Sequence, residues 1–161
     1  MFHIGQKVIY GVHGVCEIIA VDVQRINRKN IEYFVLTSVD QPGSRFYIPT
    51  HNETALMKLR PLLTKEQIES ILLTQQGGDD LWIADENKRK QHYKELICSG
   101  DRAALVGMVR CIYKHRKQQE AEGRKIHLSD EDFLKEAEKL LCAEFSIILG
   151  ISKNDVIIKI K

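Results

Sequence analysis

The chain of 161 residues lacks the features that define several large protein classes. No apolar run reaches the ~18 residues that a membrane-spanning helix needs, so we expect no membrane association. The opening residues, MFHIGQKVIY, lack the basic segment and the long apolar core of a secretory signal, which predicts a cytoplasmic protein. There is also no internal repeat and no low-complexity tract.

Cysteines are few and scattered, which disfavours sites that depend on paired thiols. The four are Cys16, Cys98, Cys111 and Cys142, and none forms a C-x-x-C pair. This spacing argues against a zinc site and against a disulfide framework. We therefore expect buried free thiols in a reducing compartment, with no metal and no cofactor.

Signatures of catalysis are missing as well. The six histidines are scattered, and no Ser or Cys stands in a nucleophile elbow. The Gly11-x-x-Gly14 stretch lacks the Lys-Ser/Thr and the helix that follow a phosphate loop. A strand pattern follows instead, so the two glycines are interpreted as relieving a tight corner, with His13 in a structural role. We expect no catalytic residue, no small-molecule substrate and no enzymatic activity.

The first part of the chain has the pattern of a small β-structure. Short runs rich in Val, Ile, Tyr and Phe occupy residues 7–10, 15–23, 31–37, 45–48 and 56–59. Turn residues separate them, and no room is left for crossover helices. This pattern predicts an antiparallel, strongly bent sheet of the Tudor or SH3-like barrel kind over residues 1–62.

After Pro61 the apolar period becomes helical, which predicts an all-helical domain of about five helices over residues 63–161 and an α+β protein overall. Thr64 and Gln67 form a capping box, and residues 75–78 resemble a flexible joint. Further helices are predicted from residue 86 to 98, after Asp101, after Ser129 and after Ser152.

Basic residues cluster in this helical part. Residues 101–125 hold seven Lys and Arg against three Asp and Glu, whereas residues 66–100 hold four against seven. On the third helix the basic residues recur at spacings of four and three, which makes one stripe. The stripe and two neighbouring clusters could neutralise several phosphates, although a solvated face is the simpler interpretation of the stripe alone. The residues concerned are Arg110, Lys114 and Lys117, then Lys88, Arg89 and Lys90, then Arg124 and Lys125.

The only tryptophan, Trp82, stands just after the predicted joint. A lone Trp near a helix start is commonly a core anchor. The alternative is an exposed wedge that inserts at a base step of DNA.

Several stretches resemble CarD/CdnL-type transcription regulators in order and spacing. They are FHIGQKVIYGVHGVCEI, IEYFVL, FYIPT, YKELICSGDRAALVGMVRCIYKHRK and EAEKLLCAEFSIIL. The first half is also similar to the polymerase-binding module of transcription-repair coupling factors.

The resemblance implies that the N-terminal module binds the RNA polymerase β subunit and that the helical domain contacts promoter DNA at the upstream edge of the melted bubble. It implies polymerase contacts from Arg25, Arg45 and Tyr47. It implies DNA contacts, without sequence readout, from basic residues and a tryptophan, and Lys88 and Arg89 match the basic positions of the family. We assign these contacts to the following residues: Trp82, Lys88, Arg89, Arg110, Lys114, Lys117, Arg124 and Lys125. The protein would stabilise the open complex in a bacterial cytoplasm, as a monomer associated with the nucleoid through the polymerase.

Three positions depart from the family pattern. Gly11 stands where the family usually has a proline after the tyrosine of the first strand. Glu86 occupies the place where the family tryptophan usually stands, and Trp82 lies one helical turn earlier. Tyr47 replaces the arginine before Ile-Pro of the fourth strand, with Arg45 two residues earlier on the same face. A protein–protein adaptor that does not touch DNA is the alternative function.

Overall fold

The structure, a computed structural model, describes residues 1–74 and 81–161. The chain divides into two compact units, Met1–Leu62 and Leu63–Lys161. The predicted joint at residues 75–78 lies outside the described residues. None of the described helices is long and apolar enough to cross a membrane.

The first unit is built on a five-stranded antiparallel sheet. The helices that follow this sheet along the chain confirm the predicted α+β class. The strands run in the order β4-β3-β2-β1-β5. Their bounds are Lys7–Tyr10 (β1), Val15–Ile26 (β2), Lys29–Ser38 (β3), Phe46–Pro49 (β4) and Leu59–Pro61 (β5). The strand expected at 56–59 is wrong in its bounds, because a short helix, α1 (Glu53–Leu56), begins after the Asn52 cap.

The glycine-bracketed corner between β1 and β2 holds an aromatic cluster. Gly11 and Gly14 have backbone φ angles of +47° and +73°. Residues that carry a Cβ rarely adopt such angles. The turn places the His13 ring 5.0 Å from the Tyr10 ring and 4.6 Å from the Phe46 ring. His13 thus packs in an aromatic cluster with Tyr10 and Phe46, and the structural role predicted for it stays a prediction.

Strands β2 and β3 extend beyond the rest of the sheet as a two-stranded ribbon. Four residue pairs, Val23–Glu32 to Ile26–Lys29, have no neighbour in β4. Asn27 and Arg28 close the ribbon with φ angles of +51° and +66°, the pattern of a type I′ turn. Apolar side chains on it remain exposed, among them Val23 and Ile26.

The described residues of the second unit form five helices: α2 (Lys65–Thr74), α3 (Glu86–Ser99), α4 (Arg102–Ala121), α5 (Leu128–Leu149) and α6 (Lys153–Ile160). The predicted capping box is confirmed, because Thr64 and Gln67 each accept a hydrogen bond from the other's backbone N–H. Asp101 and Ser152 cap α4 and α6 as predicted. The cap expected at Ser129 is wrong: α5 begins at Leu128, and His127 precedes it without a side-chain cap bond.

A buried ion pair crosses the core of the helical unit. Arg102 Nε lies 2.7 Å from Glu144 Oε2, and both side chains are almost fully buried. The other oxygen of the Glu144 carboxylate accepts a hydrogen bond of 2.9 Å from the backbone N–H of Leu63. Glu144 therefore joins the first residue of the unit, the start of α4 and the middle of α5.

We expect Glu144→Ala to destabilise the chain strongly. The change leaves the Arg102 cation buried without its carboxylate, and removing one partner of a buried pair costs ~3–5 kcal/mol. Chemical denaturation measures the loss, with the exposed Glu136→Ala on the same helix as control. A loss below ~1 kcal/mol for Glu144→Ala would show that the pair does not carry this energy.

Candidate functional site

Strand β4 lies at the edge of the sheet and presents an exposed tyrosine. Tyr47 is 47 % exposed, and its ring meets Tyr33 edge to face with centroids 6.3 Å apart. The side of β4 that faces away from β3 makes no ladder with any described strand. An edge strand beside an exposed aromatic residue suits the docking of another protein.

The predicted polymerase contacts do not all meet on one surface. Arg45 shares the face of Tyr47, but its guanidinium donates hydrogen bonds of 3.0 Å to Thr37 Oγ1 and to the carbonyls of Pro42 and Ser44. Arg45 thereby fixes the loop between β3 and β4.

Arg25 lies on the opposite side of the sheet. Val35 pairs with Tyr47 on one face, whereas Phe34 pairs with Val21 and faces the other way. Steps of two residues along β2 lead from Val21 to Arg25, so both share that second face. Arg25 is exposed near the ribbon tip and is not brought together with Tyr47.

Trp82 is half-buried and precedes α3, neither fully exposed nor in the core. Its ring stacks on His115 of α4 with centroids 3.6 Å apart and an interplanar angle of 16°. The Arg89 guanidinium carbon lies over the ring, 4.3 Å from its centroid. The His115 imidazole and the Arg89 guanidinium therefore both pack against the indole.

Arg89 occupies an interior position, which corrects the surface position that the sequence predicted. Its side chain is 2 % exposed and forms two hydrogen bonds of 2.8 Å with the Asp130 carboxylate. It also donates to the Ile83 carbonyl at 2.9 Å. With these partners the guanidinium is fully engaged inside the unit and does not face a phosphate.

The sequence contains a signal for this burial that the charge pattern obscured. The buried positions of α3 are Arg89, Tyr93 and Ile97, which recur every four residues. Asp130, interpreted from sequence as a favourable charge at a helix start, is the buried partner on α5. A cation in line with two core residues indicates a buried ion pair.

Three of the predicted DNA-contacting cations lie at the end of the unit where α3 begins and α4 ends. Lys88, Arg124 and Lys125 are exposed, and Arg124 lies 3.5 Å from Glu122. His127 Nδ1 lies 3.9 Å from Glu86 Oε2, which joins the loop after α4 to the first turn of α3. The two predicted clusters are therefore brought near each other.

The basic stripe of α4 contains one half-buried residue and two exposed ones. Arg110 donates to the Ile160 carbonyl at 2.6 Å and to the Leu72 carbonyl at 2.8 Å, while Lys114 and Lys117 are exposed. The stripe lies about 100° around α4 from the residues that border Trp82. Those bordering residues are Cys111, His115 and Gln118.

The environment of His115 favours its neutral form. Burial and the nearby Arg89 charge lower the pKa of His115 from its usual 6.5, while Asp130 and Glu122 oppose the shift and His127 adds to it. A neutral imidazole beside a buried guanidinium avoids a second cation near the indole. The imidazole that stacks on Trp82 is thus held in its neutral form over a wider pH range than a free histidine.

We expect stability to fall as the pH drops below the usual histidine pKa. There the unfolded chain binds a proton at residue 115 while the folded chain, with its lowered pKa, does not, so protons favour unfolding. Thermal melting from about pH 7.5 to about pH 5.5 should show a larger decrease for the wild type than for His115→Phe, which keeps a stacking ring. Parallel curves for the two proteins would contradict the assignment.

The thiols and the acidic groups add no further site. All four cysteines are free, with Cys16, Cys111 and Cys142 buried as expected and Cys98 exposed, contrary to expectation. Within residues 1–74 and 81–161, no group of three His, Cys, Asp or Glu side chains is arranged to hold a metal ion.

A comparison with models of protein families matches the first part of the chain. Residues 2–62 match the model of the CarD-like/TRCF RID domain. A search of curated proteins found no match to the chain. The matched segment ends at Leu62, the last residue of the first compact unit. The N-terminal unit, with its five-stranded sheet, its aromatic corner and its exposed β4 edge, belongs to the CarD-like/TRCF RID family of RNA polymerase-interacting domains.

Proposed function

We propose that this chain is a transcription regulator that binds the RNA polymerase β subunit through residues 1–62 and contacts promoter DNA through residues 63–161. The observation that carries the first half is the RID match over residues 2–62. The second half of the proposal, the contact with DNA, is supported by the exposed lysines of the helical unit. In this proposal the protein is not an enzyme and acts by holding two partners.

For the polymerase contact we propose the β4 edge with Tyr47 at its centre. An aromatic residue that is already held by Tyr33 loses little freedom on binding, which favours it as an anchor. The Arg45 guanidinium contributes by fixing the neighbouring loop. Arg25 would reach a different part of the partner, from the ribbon.

For the DNA contact we propose four exposed lysines, which are listed here: Lys88, Lys114, Lys117 and Lys125. Lysines on mobile stems supply charge to phosphates without reading bases, which agrees with a contact that holds the open complex at many promoters. Trp82 lies in the same unit, and its ring packs against His115 and Arg89. A wedge role for it therefore requires that the ring first leave His115 or Arg89.

One observation favours the adaptor alternative. Three apolar side chains of the helical unit are largely exposed: Leu73 at 81 %, Leu128 at 71 % and Ile158 at 70 %. A protein partner that covers them would need them to form one patch, because singly scattered apolar side chains are normal on a protein surface. Under this alternative the unit docks a protein and the lysines form a solvated face.

We expect the double change Arg45→Ala and Tyr47→Ala to abolish binding of the isolated β lobe. Loss of an aromatic anchor and of its loop support should cost ~2 kcal/mol or more, while both positions are exposed and the melting temperature should change little. Binding is measured by calorimetry with the full chain. Met57→Ala, 84 % exposed elsewhere on the unit, is the matched control. An unchanged affinity in the double variant would exclude this surface.

We expect single Ala variants of the four lysines to weaken binding to duplexes of different sequence by similar factors. Each lost phosphate contact should lower the slope of log K against log salt by ~0.9. Lys135→Ala on α5 removes the same charge elsewhere and should leave the slope unchanged. Losses that depend strongly on sequence would indicate base readout, and a wild-type slope near zero would support the adaptor.

A further inference from the structure

A second basic feature lies against the C-terminal half of α4. It is a groove of about 650 Å³, and none of its lining residues borders the smaller cavity at Trp82. Five cations and one carboxylate line it: Arg110, Lys114, Arg116, Lys117 and Lys161, with Glu120. The groove thus carries a strong excess of positive charge within one concavity.

Arg110 is fixed at the inner side of this groove. Its two hydrogen bonds go to Ile160, at the end of α6, and to Leu72, in the last turn of α2. The carbonyl ends of helices carry partial negative charge and would repel an anion, and the guanidinium offsets both of them. Burial lowers the pKa of Arg110, but a guanidinium stays protonated at any physiological pH.

Tyr113 brings cations from two helices to the same place. Lys161 Nζ lies 4.6 Å from the Tyr113 ring centroid, and Arg116 Cζ lies 5.6 Å from it. The hydroxyl donates to the Glu138 carboxylate, which holds the ring. Burial raises the pKa of Tyr113 far above its usual value, so the hydroxyl adds no negative charge to the groove.

Arg116 also lies 3.6 Å from Glu131 on α5, which offsets part of its charge, and the groove keeps a net excess of positive charge. We propose that this groove binds a compact polyphosphate, such as the phosphate chain of a nucleotide. The volume falls within the ~300–1,000 Å³ of small-ligand sites. A duplex spreads its phosphates along a rigid rod, whereas here five cations surround one concavity, which fits a short flexible chain of phosphates better. Several charges on one ligand are required, because each single contact with a solvated lysine is weak.

The proposed ligand would also affect DNA binding. Lys114 and Lys117 belong both to the groove and to the proposed DNA surface, so a bound polyphosphate competes with DNA for them. This regulatory consequence rests on the proposed function, whereas the binding itself does not. The chain would then respond to the supply of polyphosphate compounds in solution.

Calorimetry with the full chain and inorganic tripolyphosphate tests the site. We expect saturable binding of one ligand per chain at physiological salt, and weaker binding of sulfate at matched ionic strength. The double change Lys117→Ala and Lys161→Ala should lower the affinity for tripolyphosphate by about tenfold. The matched control Lys135→Ala and Lys139→Ala removes two exposed lysines outside the groove and should change it by less than about twofold.

Three results would overturn the proposal: no saturable binding by the wild type, equal losses in the two double variants, or sulfate binding as tight as that of tripolyphosphate. A duplex titration run in parallel separates the two ideas. If the chain binds DNA but not tripolyphosphate, only the proposed polyphosphate site in the groove is ruled out. If the chain binds tripolyphosphate but not DNA, only the proposed DNA contact is ruled out.

Discussion

The helical unit depends on one contact, the buried pair of Arg89 and Asp130. Two hydrogen bonds of 2.8 Å join the start of α3 to the start of α5, and a third fixes the segment before α3 through Ile83. The same guanidinium covers one face of Trp82. Two charges taken out of water are tolerated only with such complete pairing. The pair thereby positions the segment before α3 and the Trp82 ring relative to α5.

Arginine and lysine have different tasks in this chain. Arg89, Arg102 and Arg110 are buried or half-buried and bond to carboxylates or to carbonyls at helix ends. The planar guanidinium presents several donors in fixed directions, so it can satisfy several acceptors in an interior. Lysines remain on the outside, where a flexible, hydrated charge suits phosphate. A count of basic residues therefore overstates the surface that is available to an anion.

Local sequence rules predicted most of the fold, and long-range contacts explain what they missed. The capping box at Thr64 and the glycine corner at Gly11 depend on neighbours within a few residues, and both were predicted. Arg110 meets carbonyls 38 and 50 residues away, which no local pattern encodes. For Arg89, the four-residue spacing with Tyr93 and Ile97 indicated a buried position. Its charge suggested a surface role, and the acidic partner lay 41 residues away.

The single tryptophan gives the protein its own optical reporter. Trp82 touches His115 and Arg89, and the indole emission of the chain therefore comes from one site. Indole fluorescence is sensitive to a neighbouring imidazolium and to the polarity around the ring. Any partner that opens, closes or dehydrates this stack should change the emission without a label. The stack therefore makes this end of the helical unit observable in an otherwise unmodified protein.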